Sequence, residues 1–280
     1  MIQIKNSAVT VTVNPFGAEL HSVVVNGEER LWQGDPSVWS GRAPILFPVA
    51  GSFKNLQYRY NGVTYAMPPH GFARNRAFRT GPCTETSASF ILDTHEENYP
   101  FDYCLTAAFA LEGPALRVTY TVENKGADNM YFGIGAHEAY ACPEGIEHYH
   151  LEFSDDETLT NHLLTGPLRN YETAEMPLEN KRLALSPALY ENIDTLVFAN
   201  LKSRSVMLRK NDGSRFVRVD FDGMDNLLLW QKKGAKYLCI EPWTHAPEYV
   251  DHNGDITCKP GVRVLKPGEK QDVTHTITFG

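Results

Sequence analysis

The stretch "YCLTAAFALEGPALRVTYTVEN", residues 103–124, decides the fold class. Apolar positions alternate with small or polar ones on both sides of Glu112-Gly113-Pro114. A period of two marks a half-buried strand, and Gly-Pro is turn chemistry, so the stretch reads as a β-hairpin. The same pattern extends in both directions. Val9, Val11 and Val13 alternate with Thr10 and Thr12. "SVVVNGEERLW" (22–32) and "YRYNGVTYAM" (58–67) each place Asn-Gly between strand-like runs, the pair that a tight turn with two positive φ angles favours. "LVFANLKSRSVMLRKNDGSRFVRVDF" (196–221) adds two strands around Asp212-Gly213, and "AKYLCIEPW" (235–243) and "VTHTITF" (273–279) read as strands too. Only "SDDETLTNHLL" (154–164) predicts a helix, from its serine cap and acidic first turn. The 17 prolines and 21 glycines are spread evenly, with no linker, low-complexity segment or short repeat. The expectation is one all-β domain over residues 1–280, a large antiparallel β-sandwich.

Composition narrows the function. The chain has 280 residues, 42% of them hydrophobic, enough for a sizeable core. A net charge of −8 with scattered basic residues argues against non-specific binding to nucleic acid or anionic membranes. No apolar run reaches the roughly 18 residues of a membrane span, and the N-terminus alternates like a strand rather than a signal core. Five widely spaced cysteines without a C-x-x-C, and no N-x-[ST] acceptor, point to a reducing, cytoplasmic setting. Nothing in the chain distinguishes a monomer from a homodimer.

Several polar residues stand where strand patterning does not account for them. Glu241 ends the apolar run "YLCIEPW", and a carboxylate there is either salt-bridged or lines a pocket as a base with a raised pKa. His70, in "PPHGFARNRAF" (68–78), sits on a proline-stiffened turn, as a backbone-bonded turn histidine or as an imidazole fixed at a cleft rim. His137, in "YFGIGAHEAYACP", follows small residues that permit close backbone approach; it is a core hydrogen-bonding group or a site residue. Arg42 offers a donor fork, or is a surface arginine. Asp194, in "YENIDTLVF", opens a strand and either caps it or faces a ligand. His148 and His150 share one strand face, yet no third ligand stands at convincing spacing, so no metal is expected. Phosphate-loop, G-x-S-x-G and zinc-ribbon patterns are absent.

Taken in order, "GAELHSVVVNGEERLWQGDPSVWSGRAPILFPVAG" (17–51), "MPPHGFAR" (67–74), "IGAHEAYACP" (134–143), "IDTLVFANLKSRSV" (193–206) and "LCIEPWTHAPE" (238–248) resemble the aldose 1-epimerase (galactose mutarotase) superfamily, in its LacX-like branch. The likeness runs nearly end to end. It implies the galactose mutarotase-like β-sandwich and exchange of the α and β anomers of a hexose or related sugar, without cofactor or metal. It further implies Glu241 as general base, His137 as general acid, and His70, Arg42, Asp194 and Trp230 as substrate contacts. A hexose-phosphate epimerase, with Arg42, Arg74 and Arg76 about the phosphate, and a non-catalytic sugar-binding protein are the alternatives. Related sequences often carry proline after the second histidine, where this chain has Glu138. Strand alternation predicts that Glu138 points away from the site.

Overall fold

A computed structural model describes all 280 residues. They form 23 strands and five short 3-10 turns, with no α-helix. The Tyr103–Glu112 and Ala115–Asn124 strands pair in register across Gly113-Pro114, with Gly113 at φ +59°. The Asn-Gly turns also form as read, both residues having positive φ at Asn26-Gly27 (+52° and +82°) and at Asn61-Gly62 (+47° and +77°).

The long hairpin is the middle of a nine-stranded antiparallel sheet. Its order is Arg182–Ala184, Tyr149–Phe153, Ser205–Lys210, Phe216–Asp220, Lys270–Phe279, Ala115–Asn124, Tyr103–Glu112, Ser87–Leu92 and Arg79–Cys83. A four-stranded sheet runs Glu138–Ala141, Tyr237–Trp243, Asn226–Trp230 and Thr195–Ala199. A second four-stranded sheet covers Ile2 to Glu29. Alternation explains the layering. Leu105, Ala107, Phe109 and Leu111 turn inward from one hairpin arm, and Leu116, Val118, Tyr120 and Val122 from the other. They join Leu238 and Ile240 of the smaller sheet in one core cluster of 64 side chains that reaches from Ile4 to Phe279.

The helix expected over 154–164 does not form. Leu159 and Asn161 turn inward while Thr160 and His162 do not, a period of two, and Thr160–Thr165 pairs with Leu168–Glu175. Glu157, one of the acidic residues that suggested a first helical turn, serves a neighbouring loop instead, accepting the Ser203 N–H at 2.5 Å. Such tertiary bonds outweigh a helix of barely three turns, which is marginal on its own.

One polar pair lies inside the core. Glu138 faces away from His137, as alternation predicts, and its Oε1 lies 2.9 Å from Nε2 of His275 on the Lys270–Phe279 strand. Both side chains are almost fully buried, and the pair ties the small sheet to the large one. Removing one partner leaves a stranded polar group, whereas removing both does not. His275→Leu is therefore expected to cost about 3–5 kcal/mol of unfolding free energy, and Glu138→Leu/His275→Leu markedly less. Urea denaturation of the two variants checks the order; a double variant as weak as the single one would show that packing, not pairing, sets the cost.

Candidate active site

The Tyr237–Trp243 strand is buried at all seven positions. Leu238 and Ile240 enter the main core. Tyr237, Cys239, Glu241 and Trp243 take the opposite face, where a cavity of about 510 Å³ opens. Glu241 is 2% exposed and lines this cavity together with His137, His70, Arg74, Asp194 and Trp230.

His137 immediately precedes the neighbouring strand, and its Nδ1 lies 3.4 Å from Glu241 Oε1. The small residues before it let the backbone press against its neighbours. Gly135 bridges Leu46 on one side and Trp243 on the other, and a Cβ there would sit 2.6 Å from the Trp243 indole. At Gly133 a Cβ would overlap the His245 ring. The imidazole of His137 is boxed in by aromatics: Trp39 stacks on it at 5.2 Å, and Trp230 and His70 meet it edge-on at 5.5 and 5.6 Å.

Burial pushes the Glu241 pKa well above the carboxylate range, the charge of Glu138 on the far side of the sheet adds to the rise, and the Trp243 indole N–H opposes it. Burial also holds His137 well below the usual histidine value, with repulsion from His70 and Arg74 added. Both directions favour a neutral carboxyl beside a neutral imidazole, so the pair carries one transferable proton.

His70 occupies a turn that few residues tolerate. It has φ +64° and Gly71 φ +70°, and a Cβ at position 71 would overlap the Phe47 carbonyl. The amides of Phe72 and Ala73 both donate to that carbonyl. His70 N–H donates to Gly51 O, and Gly51 N–H donates back to His70 Nδ1 at 3.1 Å. An accepting Nδ1 leaves the proton on Nε2, which makes that nitrogen a hydrogen-bond donor.

Two arginines exchange expected places. Arg42 does not line the cavity; its guanidinium donates to Gln33 O at 2.6 Å, and its backbone N–H to Glu19. Arg74, four residues after His70, lines the cavity and makes no side-chain hydrogen bond or ion pair within the protein. Arg76 forms a two-pronged pair with Glu96 at 2.8 and 2.6 Å. Asp194 lines the cavity just before the Thr195–Ala199 strand and accepts from the Thr195 hydroxyl at 2.8 Å. Trp39 is a site residue that sequence reasoning missed; its only signal was its place in "VWSGRAP", with no periodicity to set it apart.

Metal-ligand geometry also differs from expectation. His148 lies in the Ile146–His148 turn, outside the strand that carries His150, and the His150 ring nitrogens are engaged by Asn211 and Glu152. The ligand atoms of His137, Cys239 and Glu241 instead lie within 4.8 Å of one another, all buried, a set that suits a borderline-soft divalent ion.

With this geometry in place the relatives are informative. A profile of the aldose 1-epimerase family matches residues 1–278. The chain belongs to the aldose 1-epimerase family. It is 32% identical to the chromosomal protein LacX of Lactococcus lactis subsp. lactis over 296 aligned residues, 99% of each chain. A galactose mutarotase related enzyme from Lactobacillus acidophilus superposes with a TM-score of 0.93 at 30% identity, covering 100% of this chain and 97% of that one. A galactose mutarotase-like protein from Lactobacillus casei gives 0.94 at 28%, with both chains fully covered. The family match makes the chain an isomerase of the mutarotase type, and these neighbours share its β-sheet architecture throughout. No helix is long and apolar enough to cross a membrane.

Burial holds the His70 pKa down at about 3, with Arg74 adding to it. A depressed histidine is neutral above its pKa, so His70 stays an Nε2–H donor throughout the neutral range. Nitrogen-correlated NMR of the imidazoles is expected to show that tautomer, unchanged from pH 5 to pH 8. A His70 signal titrating near 6.5 would overturn the locked-donor geometry.

Proposed function

We propose that the chain interconverts the α and β anomers of a free hexose or related neutral sugar in this cavity, by general acid–base ring opening and closure. The observation that carries the reading is the Glu241–His137 pair, 3.4 Å apart and buried in one wall of a cavity that tryptophans and a few polar side chains line together. In the ring-opening step the Glu241 carboxylate takes the O1 proton and O1 becomes a carbonyl oxygen. The C1–O5 bond breaks, and O5 takes a proton from His137. Rotation about C1–C2 presents the other face, and the same two protons return to close the ring. Ring opening leaves a neutral carboxyl and a neutral imidazole, the form that burial favours. A cyclic sugar calls for the charged form, and a hydroxyl donated to the carboxylate stabilises it. His70, Arg74 and Asp194 supply fixed polar partners for the remaining hydroxyls, and Trp39, Trp230 and Trp243 supply apolar faces.

A free sugar is favoured over a phosphorylated one because the three arginines do not gather. Arg42 and Arg76 are committed elsewhere, and only Arg74 meets the cavity. A pure binding protein has no use for a buried acid–base pair, whose desolvation is costly.

Glu241→Gln is expected to fold and to lose about 10²–10⁴-fold in mutarotation rate by polarimetry. His137→Asn should lower kcat strongly, and His70→Asn should mainly raise KM, because a positioning contact is partly made before the transition state. Unchanged kinetics in all three would place the chemistry elsewhere. The pH profile of kcat/KM should be bell-shaped. Activity falls at high pH as the pair loses its single proton, above the ordinary carboxylate range, and at low pH as it gains a second.

The proton balance closes without a metal, so exhaustive chelation is expected to leave the rate intact. A loss restored by zinc would instead make His137, Cys239 and Glu241 a resident metal site.

A further inference from the structure

The register of two strands brings three ligand-bearing side chains to one face. Glu138 pairs with Ile240 and Ala139 with Cys239, and Gly135 bridges Trp243 further along. The same register sets His137 opposite Glu241, with Cys239 two residues from Glu241 and on its face of the sheet. We propose that His137, Cys239 and Glu241 form an inhibitory site for a borderline-soft divalent cation, zinc above all, whose binding shuts the enzyme off reversibly. The inference rests on the anomer-exchange reading above and adds the regulation of that same site.

Geometry supports it first. The ligand atoms of the three residues all lie within 4.8 Å of one another. Zn–N and Zn–O bonds of about 2.0–2.2 Å at the tetrahedral angle set those ligands about 3.4 Å apart. His137 Nδ1 already stands 3.4 Å from Glu241 Oε1. That nitrogen makes no hydrogen bond within the protein, although His137 is only 6% exposed. A buried polar atom without a partner is costly, and a cation would satisfy it. Cys239 is a buried free thiol for which the acid–base reaction has no use, whereas a metal site needs it.

The donor set selects the ion. Thiolate and imidazole suit zinc and its neighbours, while magnesium and calcium prefer oxygen. A thiolate and a carboxylate cancel the two charges of the ion, so the complex is neutral where burial penalises charge. Two protons leave as it forms, one from the thiol and one from the carboxyl. The three residues fill three of the four tetrahedral positions. Glu241 and His137 line the reaction cavity, which supplies the entry path and room for a water at the fourth. A carboxylate held by the ion no longer takes the O1 proton, and without that step the ring does not open. A sugar seated in the cavity blocks the entry path in turn, so ion and sugar compete.

The test uses the full-length protein, stripped with chelator, and adds zinc chloride or, as a spectroscopic probe, cobalt chloride. Zinc is expected to bind one site by calorimetry and to raise the apparent KM for the best sugar tenfold or more without changing kcat. EDTA should reverse the effect, and magnesium chloride at the same concentration should have none. Cobalt should give the intense visible bands of a tetrahedral site and a near-ultraviolet thiolate charge-transfer band. Cys239→Ser, with Cys239→Ala as a second variant, is expected to keep its metal-free turnover within about twofold. Each should lose the thiolate band and need at least tenfold more zinc for half-inhibition. His150→Ala should leave the inhibition unchanged. Equal inhibition of the wild type and both Cys239 variants overturns the site, as does a thiolate band that survives in them. Inhibition lost in His150→Ala, or zinc that activates, overturns it too. Absence of anomer exchange with every sugar would defeat the catalytic reading instead, and the cobalt spectra and zinc calorimetry of wild type against Cys239→Ser would still decide the metal site.

Discussion

A carboxylate buried on an otherwise apolar strand is the constraint around which this molecule is arranged. All seven residues of Tyr237–Trp243 are buried, and strand alternation divides them. One face, with Leu238 and Ile240, helps close the core against the nine-stranded sheet. The other carries Glu241 between Cys239 and Trp243. A strand covered on both faces cannot shift register, because a slip of one residue would place the carboxylate in the core and a leucine in the cavity. The core thus fixes the position of the Glu241 carboxylate to within the tolerance of strand packing. Close backbone approach at Gly133 and Gly135 then brings His137 alongside. Rigid elements place functional groups more accurately than loops do, and here a core strand and the segment leading into its neighbour hold Glu241 and His137, the proposed base and acid.

The opposite device holds the substrate side. "PPHGF" is a loop, but its freedom is removed by two prolines, two successive left-handed residues and a reciprocal pair of bonds between His70 and Gly51. A left-handed histidine costs on the order of 1–3 kcal/mol, which the anchoring on the Phe47 carbonyl must offset. Strain of this kind at a ligand-facing residue fits a group whose direction matters more than its stability. The same turn determines which arginine reaches the cavity. Arg74 lies within the short Ala73–Asn75 3-10 turn that follows Gly71, so its position is tied to that of His70.

Much of this was legible in the chain, for identifiable reasons. The hairpins at 26–27, 61–62 and 113–114 could be read because turn chemistry and period-two burial are local properties. Glu241 stood out because a charge inside an apolar run contradicts its surroundings, and the turning of Glu138 away from the cavity followed from alternation alone. The failures were all tertiary. The segment 154–164 looked helical because serine and acidic residues suit a first turn, and only the Ser203 loop explains why they are used otherwise. Arg42 and Arg74 look alike in sequence; what separates them is that Gln33 happens to offer a carbonyl to one and nothing in the protein offers an acceptor to the other. Trp39 acquires its role from stacking on a residue 98 positions away, a contact that leaves no trace in local pattern.

Glu138 shows how far the two faces of the sheet remain coupled. Its side chain bonds His275 in the core and never enters the cavity. Yet it sits on the strand adjoining Glu241, opposite Ile240, and its charge is the second cause, after burial, of the raised Glu241 pKa. Both side chains are buried, so that repulsion is weakly screened and a group on the far side of one sheet still bears on the proton affinity of Glu241. A proline at position 138 would remove the charge and the link to His275 together, and Glu241 would then hold its proton less tightly. The residue after His137 is thus a means of setting the proton affinity of Glu241 without altering any group that lines the cavity.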